Sequence, residues 1–147
     1  MYVVTAASGG RRAGCLVGFA SQCSIEPPRF TVWLSTANHT YDVARTARHL
    51  TVHVLGREQR ALAELFGGQT GDGVDKFART AWRPGRDGSP VLSDVRVWFT
   101  GLVEETVAVG GDHVGFVLSP VDRSGGSAGS GPLRFGAVRD VEAGHPA

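Results

Sequence analysis

Cysteine is scarce in this sequence, with two among 147 residues, Cys15 and Cys23. Two cysteines do not make the disulfide framework that stabilises many small secreted domains. If both lay on one extended strand, the eight steps between them would place them roughly 26 Å apart, which is beyond the reach of a disulfide. The cysteine content therefore favours a reducing, cytoplasmic location.

An excess of one charge and long apolar runs are also lacking. Fifteen Lys and Arg residues against fourteen Asp and Glu leave a net charge of +1, which is too balanced for a protein that binds nucleic acid by neutralising many phosphates. No stretch approaches the ~20 apolar residues of a membrane span, and the first residues lack the features of a signal peptide. We expect neither nucleic acid nor a membrane as a partner.

Several sequence motifs of known chemistry are missing. The five histidines show no zinc-type spacing with one another or with the cysteines, so we predict no metal site. There is no nucleophile elbow, no phosphate-binding Gly-x-x-x-x-Gly-Lys loop and no Gly-x-Gly-x-x-Gly segment. Hydrolase and nucleotidase functions therefore lack their usual machinery.

What is present is a pattern of short strands. Alternating apolar residues predict about six strands with two short helices inserted between them. The strands are expected near residues 2–7, 12–21, 30–34, 50–55, 95–103 and 114–118, and the helices near 41–48 and 58–66. A long ordered loop with a helical turn is expected at 69–89. We predict a small antiparallel barrel with helical decoration over residues 1–123, followed by a Gly/Ser-rich link and tail at 124–147.

The first candidate site is the segment that ends at the double proline Pro27-Pro28. Ser21 and Ser24 stand just before these prolines, which force the chain to turn. Exposed hydroxyls and backbone N–H groups there would suit an oxygen-rich planar ligand. The alternative is that both serines satisfy only the backbone of the turn.

The second candidate is the start of the first predicted helix. Ser35, Thr36, Asn38 and Thr40 place hydroxyl and amide groups there, with arginines following at positions 45 and 48. Free N–H groups at a helix start, reinforced by hydroxyls and guanidinium groups, bind phosphate. Simple capping of the helix by Asn38 or Thr40 is the alternative.

The third candidate is His113, which follows the turn Gly110-Gly111-Asp112 at the start of a strand. Because successive side chains of a strand point to opposite faces, the side chain of His113 lies on the face opposite to that of Val114. The turn can aim the imidazole into a cleft, and a solvated histidine at the end of a strand is the alternative reading. His53, by contrast, is interpreted as a half-buried strand residue without a functional role.

The order of these features resembles the flavin reductase-like family, the FMN-binding split barrels. The matching segments cover most of the chain from Tyr2 to about Val121 and include Ser21-x-x-Ser24-Ile-Glu-Pro-Pro28, Asn38-His-Thr-Tyr, Leu62-Ala-Glu-Leu-Phe66, Asp75-Lys-Phe77 and Gly111-Asp-His113. The resemblance implies a mainly β fold, an antiparallel split β-barrel of Greek-key type with short inserted helices.

The resemblance also implies where a flavin would bind. Contacts to the flavin ring and chain are expected from Ser21, Gln22, Cys23 and Ser24, and contacts to its phosphate near Ser35, Thr36, Asn38 and Thr40. Lys76 and Phe77 would close the site from the long loop, and His113 would lie beside the nicotinamide as the catalytic residue.

The function implied is an NAD(P)H-dependent flavin reductase, which transfers a hydride from the nicotinamide to FMN or FAD. Two alternatives are a flavin- or deazaflavin-containing oxidoreductase acting on another small substrate, and a non-enzymatic flavin-binding dimer. The resemblance further implies that the protein forms a homodimer and that a flavin-dependent monooxygenase is its partner. Three features depart from the family pattern. The sequence starts almost at the first predicted strand, where the family commonly has a further amphipathic helical segment. Leu16 and Gly18 stand where many members carry hydroxyl or amide side chains, and Ser119-Pro120 is expected to interrupt the last strand early.

Overall fold

Seven antiparallel strands form one curled sheet in the computed structural model, which describes residues 1–69, 73–126, 129 and 131–144. The strands are β1 Tyr2–Ser8, β2 Arg11–Val17, β3 Ala20–Ser24, β4 Arg29–Ser35, β5 His49–Val54, β6 Trp82–Pro84, β7 Pro90–Leu92, β8 Val97–Ala108 and β9 His113–Arg123. The order of the strands in the large sheet is β2-β1-β5-β8-β9-β4-β3, and β6 and β7 form a separate small sheet. This confirms the predicted mainly β, antiparallel split barrel with short inserted helices.

The first hairpin forms where the sequence predicts it. Gly9 and Gly10 adopt positive φ angles of 58° and 75° between β1 and β2, a conformation that glycine adopts without steric cost. β1 then pairs with β2 on one side and β5 on the other, so that Val4 lies opposite Cys15 and Val52.

The single strand predicted for residues 12–21 is wrong, because the chain breaks at Gly18 and Phe19. β2 pairs with β1, whereas β3 pairs with β4 at the other end of the sheet. Residues consecutive in the chain can occupy opposite ends of the sheet only because the sheet curls back on itself. The carbonyl of Phe19 then accepts a hydrogen bond from Trp33 N–H at 2.9 Å. Cys15 and Cys23 therefore lie on different strands, and both are free thiols.

The two helices lie close to their predicted positions. α1 spans His39–Ala44 and ends earlier than expected, and α2 spans Arg60–Gly67 after a 3₁₀ turn at Arg57–Gln59. Further 3₁₀ turns lie at Lys76–Ala78, inside the long loop, at Arg86–Gly88 and at Phe135–Ala137. Sequence analysis did not predict β6 and β7, since three-residue strands are too short to show periodicity. No helix among the described residues is long and apolar enough to span a bilayer.

The expected interruption at Ser119-Pro120 is also wrong, because β9 continues to Arg123. Pro120 lies opposite Gly101, directly beside a register shift in β8. A bulge of this kind accommodates a residue that cannot donate a ladder hydrogen bond. A side chain at position 101 would also collide with Leu118, since a Cβ there would lie 2.7 Å from that of Leu118.

Buried side chains form two clusters on the sheet. The first fills the inside of the curl and includes Val4, Leu34 and Phe116. The second packs between the sheet and α2 and includes Phe66 and Phe77, together with Leu133 and Val138 from the C-terminal segment. Leu133 N–H also donates to the carbonyl of Leu55 at 2.7 Å. The described part of the tail therefore packs onto the body.

Candidate functional site

A cleft of about 530 Å³ opens where the curled sheet fails to close, between β2 and β4. We call it the aromatic cleft because rings or imidazole from Phe19, Trp33, His113 and Phe135 line it. Its other lining residues are Met1, Cys15, Leu16, Val17, Gly18, Leu34, Ser35, Asn38 and Ala143. The volume lies within the range of sites that hold cofactors or drug-sized ligands.

Two of these rings are unusually exposed for large apolar side chains. Phe19 is 65% exposed and Phe135 is 68% exposed. Phe19 lies on the bend between β2 and β3, whereas Phe135 comes from the C-terminal segment. Exposed aromatic faces around one cleft provide stacking surfaces for a planar ligand.

His113 begins β9 and lies opposite Ser35 of β4. Its Nδ1 lies 2.9 Å from Oδ1 of Asp112, and its ring packs edge-on against Phe19 with centroids 5.4 Å apart. A carboxylate only accepts hydrogen bonds, so Nδ1 carries the proton and Nε2 remains available to a ligand. The hydrogen bond from His113 lowers the pKa of Asp112, which keeps this carboxylate ionised.

The polar residues predicted at the helix start are engaged in local hydrogen bonds. Asn38 Oδ1 accepts from Thr40 N–H at 2.9 Å, which is the capping role left open by the sequence. Ser35 Oγ accepts from the N–H of Ala37, and Thr36 donates to the carbonyl of Asp112. Among these, Ser35 and Asn38 line the aromatic cleft.

Cys15 supplies part of the wall of the aromatic cleft. Burial raises the pKa of its thiol to about 11, although a hydrogen bond with Thr40 and the charge of Lys76 partly oppose this. The thiol is therefore neutral near pH 7 and forms part of an apolar wall. Thr40, which was predicted to contact phosphate, is buried and supports Cys15 from behind.

The four candidates on β3 lie on the edge strand, away from His113. Ser21, Gln22 and Cys23 are exposed and Ser24 is half-buried. Ser21 Oγ donates to Gln22 O, Gln22 Nε2 donates to Ser24 O, and the hydroxyl of Thr31 contacts the sulfur of Cys23. None of the four lines the aromatic cleft or the second cleft described next. Their role as ligand contacts stays a prediction.

A second cleft of about 440 Å³ lies beside the first, and we call it the basic cleft. Both predicted residues of the long loop, Lys76 and Phe77, line it. The other lining residues are Arg11, Arg12, Ala13, Gly14, His39, Gly73, Val74 and Asp75. Gly14 and His39 of the basic cleft directly adjoin Cys15 and Asn38 of the aromatic cleft, so the two clefts are neighbours.

Lys76 is only 4% exposed and lies beneath β2. Its Nζ donates to the carbonyls of Gly14 and Phe66, both at 3.1 Å, and it lies 5.6 Å from the centre of the Phe66 ring. Burial lowers the pKa of its ammonium group. Phe77 packs between Phe66 and Trp82, with both pairs of ring centroids 5.7 Å apart.

Sequence reasoning missed several residues of both clefts. Phe19 follows Gly18 in a stretch with poor alternation, and this irregularity was the available signal. Phe135 lies beyond the Gly/Ser-rich link, where no local pattern relates it to the barrel. Arg11 and Arg12 belong to the first hairpin, so they read as ordinary exposed turn residues.

Comparison with known proteins adds independent information. The family described as flavin reductase like domain matches residues 1–141 of the chain. A protein of Rhizobium meliloti named "Probable flavin reductase" is 31% identical over 76% of this chain and 36% of its own length. An NADH-dependent FMN reductase of Methylorubrum extorquens is 33% identical over 78% of this chain and 56% of its own length.

Two further proteins extend the comparison. The reductase component of a 4-nitrophenol monooxygenase from Rhodococcus opacus is 32% identical over 90% of this chain and 68% of its own length. The chain thus spans between about one third and two thirds of these relatives. The crystal structure of a flavin reductase domain protein from Arthrobacter superposes with a TM-score of 0.76, covering 86% of this chain and 76% of that one at 23% identity, and it supports the fold.

Proposed function

This chain belongs to the flavin reductase-like domain family, and we propose that it is an NAD(P)H-dependent flavin reductase acting on FMN or FAD. The observation that carries the proposal is the aromatic cleft. It combines exposed rings with a histidine whose Nδ1 is hydrogen-bonded to Asp112 and whose Nε2 is available to a ligand. Its volume suits a planar cofactor. The relatives named above as flavin reductases agree with this activity.

The residues of the aromatic cleft fit a flavin. Phe19, Trp33 and Phe135 offer apolar faces to its ring system, while Ser35 and Asn38 bring polar groups to one end of the same cleft. A bound flavin would supply the redox chemistry by accepting two electrons as a hydride from the nicotinamide. The protein has to hold two planar rings face to face and to exclude water from between them.

His113 is suited to positioning the nicotinamide. Hydride transfer requires no proton from the protein, so the contribution of His113 is a hydrogen bond that its Nε2 accepts from the pyridine nucleotide. The hydrogen bond of Nδ1 to Asp112 fixes the imidazole in one orientation. A ring held in this way loses little conformational freedom when the nucleotide binds.

A homodimer is the proposed assembly. Phe19 and Phe135 at the mouth of the cleft leave more apolar surface in water than an isolated small domain usually presents. Association through this surface would bury the cleft and shield a reduced flavin from water. A cytoplasmic location is proposed because both cysteines are free thiols.

A flavin-dependent monooxygenase is the proposed consumer of reduced flavin. The Rhodococcus relative is named as the reductase component of a monooxygenase. In such a pair the reductase releases reduced flavin to its partner, which requires that the flavin leaves the cleft between turnovers.

The test is a binding and turnover experiment on the purified chain. FMN, FAD and a deazaflavin are titrated by fluorescence, and oxidation of NADH and NADPH is followed with excess flavin. We expect saturable flavin binding at micromolar or lower concentration and flavin-dependent oxidation of the nicotinamide. Absence of binding for all three flavins would overturn the proposed function. Binding without turnover would favour a flavin carrier, and flavin that survives gel filtration would favour a prosthetic group.

A matched pair of variants ties this result to the cleft. Phe19 and Ile25 are both exposed apolar residues, but only Phe19 lines the aromatic cleft. We expect Phe19→Ala to weaken flavin binding roughly 5-fold, because one stacking contact contributes about 1 kcal/mol. Ile25→Ala should leave the dissociation constant of the flavin unchanged.

A further inference from the structure

The C-terminal segment, residues 132–144, forms part of the rim of the aromatic cleft. It contributes Phe135 and Ala143 to the lining, whereas the other lining residues lie between Met1 and His113. The segment follows the Gly/Ser-rich link, so its position depends on contacts with the body. An aromatic ring at this rim is useful to a ligand only while those contacts hold.

Two buried side chains anchor the segment on either side of Phe135. Leu133 and Val138 lie in the second buried cluster, and the N–H of Leu133 donates to the carbonyl of Leu55 at 2.7 Å. Phe135 lies between these anchors on a 3₁₀ turn, and its ring remains exposed. The anchors therefore face the core while Phe135 faces the cleft, so the placement of its ring depends on how the segment is attached.

Arg60 of α2 attaches the stretch that follows Phe135. Its Nη1 donates to the carbonyl of Ala137, and its Nη2 pairs with Asp140 at 2.7 Å. Its Nε donates to Glu64, one turn further along α2, at 2.8 Å. Glu64 thus orients the guanidinium, which uses two further N–H groups on the segment. Both ion pairs are solvent-exposed, so this attachment is weak enough to open and is sensitive to salt.

The end of the segment meets the C-terminal end of α2. Gly144 N–H donates to the carbonyl of Gly67 at 3.0 Å. The two backbones lie so close that a Cβ at position 144 would stand 2.6 Å from the backbone carbonyl carbon of Gln69, an approach that only glycine allows. Because Ala143 directly precedes Gly144, this contact fixes the second point at which the segment borders the cleft.

We propose that Arg60 is a positioning residue for the flavin site, because it holds the C-terminal segment on α2 and so keeps Phe135 and Ala143 at the rim of the aromatic cleft. The attached segment is a wall that retains the flavin, and its detachment from α2 lets the flavin leave. This inference rests on the proposed function, in which reduced flavin leaves between turnovers. The segment joins the body through an isolated bridge between Gly56 and Pro132 rather than a strand ladder, and such regions open more readily than a sheet does.

The first test uses two glycines of the segment, with FMN and FAD as ligands. Gly144→Ala places a methyl group against the backbone of Gln69, whereas nothing lies within 4 Å of a Cβ at position 136. Gly136→Ala is therefore a matched control with the same chemical change. We expect Gly144→Ala to raise the dissociation rate and the dissociation constant of the flavin roughly 10-fold, because an overpacked contact opposes attachment. Gly136→Ala should leave both nearly unchanged.

The second test concerns the ion pairs of Arg60. Asp140→Asn and Glu64→Gln each remove one carboxylate charge that pairs with Arg60, but only Asp140 belongs to the segment. We expect Asp140→Asn to raise the dissociation constant of the flavin roughly 2- to 5-fold, the scale of an exposed ion pair. Glu64→Gln should leave it nearly unchanged. The charge swap Arg60→Asp/Asp140→Arg should bind flavin more tightly than Arg60→Asp alone, because it restores the attraction.

Tryptic cleavage after Arg139 measures the attachment without any flavin. Arg139 is an exposed residue of the segment, and a protease cuts a docked segment only after it opens locally. We expect faster cleavage in Gly144→Ala and Asp140→Asn than in their controls, and slower cleavage of wild type when flavin saturates it. Thermal melting of each variant shows that the body remains folded.

The outcomes separate this inference from the proposed function. Flavin affinity that is equal in all variants, or a control that loses as much affinity as its partner, would overturn the inference and leave the proposed function intact. Cleavage that a bound flavin does not slow would also overturn the inference. If wild type binds neither FMN nor FAD, the proposed function fails. Faster cleavage of the two variants than of their controls would then still support attachment by Arg60, and equal cleavage would overturn it.

Discussion

Lowering the pH should destabilise this protein through His53. The imidazole is fully buried, at 0% exposure, near the end of β5, whereas the sequence suggested a half-buried residue. The carbonyl of Val3 lies 3.0 Å from Nδ1, and the N–H of Leu92 donates to Nε2, also at 3.0 Å. A carbonyl only accepts and an amide N–H only donates, so His53 is neutral with its proton on Nδ1.

The energetic consequence follows from the pKa of His53. Burial lowers it from 6.5 to about 4, and the hydrogen bond to the Val3 carbonyl partly opposes this. Because the folded pKa is depressed, the stabilisation is complete above pH 6.5 and is lost as the pH falls towards 4. At about 1.4 kcal/mol per pH unit, the loss is about 2 kcal/mol by pH 5 and about 3 kcal/mol at pH 4.

The assay is urea unfolding of wild type and His53→Gln at several pH values between 7 and 4.5. Glutamine stays neutral and can donate and accept hydrogen bonds, although it will lower stability at every pH. Carboxylate titration affects both proteins alike, so the difference between their pH profiles isolates His53. We expect wild type to lose about 2 kcal/mol more than His53→Gln between pH 7 and 5.

Parallel pH profiles for wild type and His53→Gln would refute this reasoning. They would mean that His53 takes up its second proton as readily in the folded protein as in the unfolded chain, so that burial does not lower its pKa. A loss of about 2 kcal/mol would be a large part of the 5–15 kcal/mol by which domains of this kind are usually stable.

Two further predictions concern the aromatic cleft. Replacing His113 with Ala should leave flavin affinity nearly unchanged while slowing NAD(P)H-dependent flavin reduction roughly 10- to 100-fold, the scale of lost orientation. Stopped-flow reduction measures this, and an unchanged rate with unchanged nucleotide affinity would remove His113 from the site. Sedimentation should find a homodimer, and Phe135→Asp should shift it towards monomer because it puts a charge into an apolar contact. A monomer at all concentrations in wild type would contradict the proposed dimer.

The parts of the fold that were predicted correctly are determined by residues close to one another in the sequence. The β1–β2 hairpin follows from Gly9 and Gly10 between two apolar runs, and α1 begins at a capping residue, Asn38. Both are decided within a few residues, where turn chemistry and capping act. Local pattern was therefore enough to predict the mainly β architecture.

The predictions that the structure contradicts depend on contacts between distant parts of the chain. Whether residues 12–21 form one strand or two depends on which partners they pair with, and Gly18 gave no indication that β3 would pair with β4. The burial of His53 likewise depends on Leu92, thirty-nine positions away. The candidate site also depends on contacts between distant residues, because the pairing of β4 with β9 brings His113 close to Ser35 and Asn38.

The bend at Gly18 and Phe19 has a consequence for how ligand and fold depend on each other. The two ends of the sheet are joined there by the polypeptide itself, with a cleft where a closed barrel would continue its ladder of backbone hydrogen bonds. A ligand bound in this gap would contact both ends of the sheet at once and so connect them non-covalently. Because such a ligand binds the folded chain and not the unfolded one, it favours the folded state by mass action, and resistance to unfolding rises with the ligand concentration.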